Sequence, residues 1–105
     1  MTKKLAILVV LLLVVGSMVW AGSQTWTGTV SDSYCGTKHA VASGKAAACV
    51  ARCVKRGAKY VLVSEGKVYQ LDAQDKFTDF AGKSVKVTGS LQGDTIAVES
   101  VEAAQ

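Results

Sequence analysis

The chain has 105 residues, a formal net charge of +4 and three cysteines, with no proline. Without Lys3 and Lys4, ten basic residues face eight acidic ones, and no cluster of Lys and Arg offers a phosphate-binding face, which argues against nucleic acid as a partner. The length admits one small domain and excludes two.

In chain order, Lys3 and Lys4 precede an apolar run from Leu5 to Val15, and Val19 and Ala21 sit at small-residue cleavage positions. This pattern predicts a signal peptide over residues 1–21 and a mature domain over residues 22–105, either secreted or periplasmic. Membrane contact is expected only through the leader, if it stays uncleaved. The next stretch, SQTWTGTVSD, carries Thr, Trp and Val on a half-buried strand that ends at Ser31 and Asp32.

Every cysteine and the only histidine then fall between Cys35 and Cys53. Ser43 and Gly44 start a helix whose residues Ala46, Cys49, Val50, Cys53 and Val54 share one face. Basic residues crowd its last turn, and Gly57 stops it. KYVLVSEGKVYQL reads as a hairpin turning at Glu65 and Gly66. DAQDKFTDFAG reads as a second short helix capped by Asp72, with Ala73, Phe77, Phe80 and Ala81 inward. The tail alternates Val85, Val87 and Leu91 with polar residues, turns at Gly93 and Asp94, and returns through Ile96 and Val98. A slip of period before Val101 marks a bulge or a strand end.

The resulting fold class is mainly β. The order fits a five-stranded Greek-key barrel of the oligonucleotide/oligosaccharide-binding (OB) type, with the Cys-bearing helix inserted between strands 1 and 2 and a short helix between strands 3 and 4. A small open sheet with both helices on one face is the competing architecture.

The candidate site is Cys35, His39, Cys49 and Cys53. Cys49 and Cys53 stand one turn apart on one helix face, a spacing that suits two ligands of one ion. It suits a mutual disulfide badly, because helical i, i+4 Cβ atoms lie about 5–6 Å apart and a disulfide needs about 3.5–4.5 Å. Three readings stay open. A Cys3His shell would bind zinc or copper. A disulfide from Cys35 to Cys49 or Cys53 would leave one free thiol, as an exported address favours. A thiol enzyme would use Cys35 with His39, or an activated Cys49, but no C-x-x-C pair and no third group supports it. The reading preferred here is non-enzymatic.

Outside this stretch, Trp26, Tyr34, Tyr60 and Tyr69 are strand and loop aromatics that suit packing more than stacking on a ligand. A solvated helix face explains Asp72, Asp75 and Asp79, which lack the calcium-loop pattern. Glu65, Glu99 and Glu102 form no acid pair. An unknown small ligand or an envelope protein remains the expected partner, and a glycan-, peptide- or oligonucleotide-binding module the alternative function.

The segments TWTGTVSDSYCG, CVARCVKRGAKYVLV, KVYQL and FAGKSVKVTGSL resemble small secreted bacterial proteins of unknown function. Those proteins share a D-S-x-C-G start, a downstream His, a C-x3-C helix and a Gly-Ala-Lys-Tyr sequence. The resemblance implies an exported OB-like domain and places Asp32, Cys35, His39, Cys49 and Cys53 in the shared motif. It carries no activity.

Overall fold

The computed structural model describes residues 23–104. The expected leader lies outside the described residues, and no helix among the described residues is long and apolar enough to cross a membrane. The elements are β1 (Gln24–Asp32), a 3-10 turn (Gly36–His39), α1 (Gly44–Lys55), β2 (Tyr60–Ser64), β3 (Lys67–Leu71), a 3-10 segment (Gln74–Phe80), β4 (Ser84–Gln92) and β5 (Thr95–Ala103).

The five strands form one sheet that closes on itself in the order β1-β2-β3-β5-β4. Closure depends on β1 serving two neighbours. Its first half, Gln24 to Thr29, pairs antiparallel with β4, and its second half, Thr29 to Asp32, pairs antiparallel with β2. At the changeover stands Gly28, where an added Cβ would lie 2.3 Å from the Val63 carbonyl oxygen. Only a residue without a side chain lets the two strands cross so closely. The remaining seam is a short parallel pairing of Gln70 and Leu71 with Thr95 and Ile96.

The ring encloses Val30, Leu62, Leu71, Phe77, Val85, Val87 and Ile96, each buried, with Val50 of α1 in the same cluster. Apart from Phe77 and Val50, these are inward positions of the strands, so the period of the sequence and the core agree. The β2–β3 hairpin turns at Glu65 and Gly66, both at positive φ, as a two-residue turn requires. The bulge expected before Val101 is present: Thr88 pairs with Ser100 and Gly89 with Val98, leaving Glu99 unpaired.

The segment after β3 departs from expectation. It winds as a 3-10 segment, not an α-helix, and Asp72 does not cap it. Asp72 Oδ1 instead accepts from the Val98 amide at 2.8 Å, which ties β3 to β5 beside their short seam. Gln74 fixes the segment from the other side: its Oε1 accepts from the Tyr60 amide at 2.7 Å, and its Nε2 donates to the carbonyls of Tyr60 and Leu71 at 3.0 and 2.9 Å. These side-chain bonds satisfy strand-end groups that a regular helix would leave idle. Phe77 still enters the core, and Phe80 and Ala81 pack on its margin.

Helix α1 matches its predicted start and stop. Ser43 Oγ accepts from the Ala46 amide at 3.0 Å as the N-cap, and Gly57 follows the helix end at φ 110°. The helix docks through buried Ala46 and Val50. The closeness of that docking is set by Gly82, which has φ 68° and whose added Cβ would lie 2.2 Å from the Ala47 nitrogen. Gly82→Ala therefore costs stability twice, by left-handed backbone strain and by pushing α1 outward. A loss of about 2 kcal/mol or more is expected, read as a lowered urea midpoint. An unchanged midpoint would show that the helix is not held at this distance in solution.

Candidate metal centre

The site is built on the loop that leaves β1. Ser31 and Asp32, the last strand residues, are fully buried and point polar groups at the loop. Ser31 Oγ donates to the Gly36 carbonyl at 2.7 Å, and Thr29 Oγ1 donates to the Ala40 carbonyl at 3.0 Å. Asp32 Oδ1 accepts from the amides of Tyr34 and Cys35, each at 2.9 Å. Such a local turn is what a strand-end Asp provides. The loop is thus folded back over the strand, and the 3-10 turn delivers Cys35 and His39 to the face of α1 that carries Cys49 and Cys53.

All three cysteines are free and half-buried. Their Sγ atoms lie within 4.8 Å of one another, a grouping that can hold a metal ion. A second group, Asp32, Cys35 and His39, meets the same 4.8 Å criterion, so the two sets overlap at Cys35. The four residues singled out in the sequence therefore occupy one region, with His39 grouped with Asp32 and Cys35, and Cys49 and Cys53 grouped with Cys35. The disulfide expected from Cys35 to a helix cysteine is not formed in this structure.

Asp32 is the functional candidate that residue chemistry alone did not assign. Its signal was available in the D-S-x-C-G motif, but an Asp at a strand end reads as a turn former. His39 Nε2 stands 4.0 Å from Asp32 Oδ2, too far for a hydrogen bond. Both atoms are buried and have no hydrogen-bond partner among the described residues.

The electrostatics oppose activation of Cys35 and Cys53 as nucleophiles. Burial first, then the nearby Asp32 charge, raises the Cys35 thiol above its ordinary pKa, and the same two causes push Cys53 up to about 11. A catalytic thiol needs the reverse shift. A bound dication would favour the thiolates against both effects, since a coordinating thiol is deprotonated outright. Beside the cluster lies an open cleft of about 550 Å³, walled by His39 and Cys49 and by the cations Lys38, Lys45 and Arg52.

Three of Trp26, Tyr34, Tyr60 and Tyr69 follow their packing role. Tyr60 is in the core, while Trp26 and Tyr69 pack against its edge with ring centroids 5.9 Å apart. Tyr34 is exposed and donates its hydroxyl to the Arg56 carbonyl at 3.3 Å.

Fold and site together define a small, mainly β domain with a thiol-rich cluster formed between the loop after β1 and α1. A family described as a protein of unknown function (DUF5818) matches residues 53–104, which takes in β2 through β5 and, of the cluster, Cys53 alone. No curated protein and no solved structure matches the chain.

Proposed function

We propose that this chain is an exported, non-enzymatic OB-like domain that binds a soft or borderline metal ion, zinc or copper, through the thiolates of Cys35, Cys49 and Cys53 with His39 alongside. The observation that carries the reading is the convergence of three sulfurs from two separate elements to within 4.8 Å of one another. Sulfur donors select for zinc and copper over magnesium or calcium. The strand order β1-β2-β3-β5-β4, with β1 shared between β2 and β4, supports the OB assignment and its Greek-key connection. Lys3 and Lys4 ahead of the apolar run support export. In an oxidising compartment a bound ion also shields three neighbouring thiols from pairing.

The disulfide reading predicts a different product from the same sulfurs. Protein purified from the exported fraction distinguishes them by elemental analysis and by mass spectrometry of alkylated thiols. The metal reading expects close to one zinc or copper per chain and three alkylatable thiols after chelation. One alkylatable thiol and no metal would replace it with the crosslink.

A further inference from the structure

We infer that Asp32 is itself a ligand of this centre, and that the ion the centre takes is for that reason divalent. The inference rests on the metal reading above and adds a donor and a charge to it. Asp32 has no exposure at all. Its Oδ1 serves the turn by accepting the Tyr34 and Cys35 amides. An asparagine would serve both amides equally well through its own Oδ1, so the turn does not account for the second, charged oxygen. Oδ2 is buried and unpartnered among the described residues, and His39 Nε2, 4.0 Å away, is buried and unpartnered too.

A buried carboxylate oxygen with nothing to accept from is costly, and native structures rarely leave one. A cation removes the cost for both atoms at once. Zinc binds carboxylate oxygen and imidazole nitrogen at about 2.0–2.2 Å each, which puts tetrahedral neighbours about 3.4 Å apart, so Oδ2 and Nε2, now 4.0 Å apart, share one ion after closing by about half an ångström. The Cys35 sulfur belongs to this group and to the thiol group, and joins the new donors to the helix cysteines.

Charge then selects the ion. Three thiolates and one carboxylate bring four negative charges together. A dication offsets two of them and a monovalent ion only one, and an oxygen donor suits zinc far better than cuprous copper. Lys38, Lys45 and Arg52 around the adjoining cleft lessen the remainder.

The test compares the full chain with Asp32→Asn, using zinc and cuprous ion separately in competition with chelators of known affinity. Asparagine keeps the turn acceptor, and circular dichroism checks that the fold is kept. The expected result is zinc binding weakened by at least about tenfold, with cuprous binding changed by less than about threefold. A second measurement needs no variant: in the wild-type chain labelled with 13C-aspartate, one carboxyl resonance should move on zinc loading and stay in place on cuprous loading. Unchanged zinc affinity in Asp32→Asn, equal weakening for both ions, or no moving carboxyl resonance would each overturn the assignment while leaving the thiol centre intact. A wild-type chain that takes up neither ion would overturn the metal reading itself, and Asp32 with it.

Discussion

Cys49→Ser is expected to abolish tight metal binding while leaving the fold in place. Cys49 is half-buried on α1, outside the hydrophobic core, whose contact with the helix runs through Val50 and Val54. Its removal leaves the docking of the helix to Ala46 and Val50. Its sulfur, however, is one of only three that converge. Loss of an outer-shell partner weakens a metal site by about 10–100-fold, so loss of a direct thiolate should exceed about 100-fold. Chelator competition reads the affinity, and circular dichroism reads the fold. Full zinc affinity in Cys49→Ser would remove Cys49 from the centre. An unfolded variant would make the cysteine part of the core instead.

Phe77→Ala carries the largest expected effect on stability. Phe77 is among the largest fully buried side chains and enters the ring from the 3-10 segment. Truncating a buried Phe costs about 3–5 kcal/mol, against a total of about 5–15 kcal/mol for domains of ordinary size. The variant should unfold at a much lower urea concentration. Zinc at about 100 times its dissociation constant should restore about 2.7 kcal/mol if the ion binds the folded chain alone. A urea midpoint equal to that of the wild type would place Phe77 outside the core, and a midpoint indifferent to zinc would separate the centre from folding.

Much of the fold is legible in the residues. Alternation in β4 and β5, the Glu65–Gly66 turn and the Ser43 cap are local signals, each expressed within a few positions, and each reappears in the structure. The 3-10 segment was not legible because its geometry is set from outside. Gln74 binds the ends of two strands, and a helical period cannot report that. The doubled pairing of β1 was hidden for the same reason, since Gly28 is explained only by the Val63 carbonyl that passes close to it.

At the site, the concentration of Cys and His in one stretch was plain in the sequence. The division into two overlapping groups was not, because it depends on where β1 ends and on how the loop folds back. Asp32 shows the difference most clearly. In the sequence it is a turn residue, and only burial with one oxygen idle makes it a donor.

The bonds from Thr29 and Ser31 to the Ala40 and Gly36 carbonyls hold the Cys35–His39 loop without help from any ion. Were the proposed ion to bind, little ordering entropy would be left to lose, so its capture would be an event on a preformed receptacle rather than an episode of refolding.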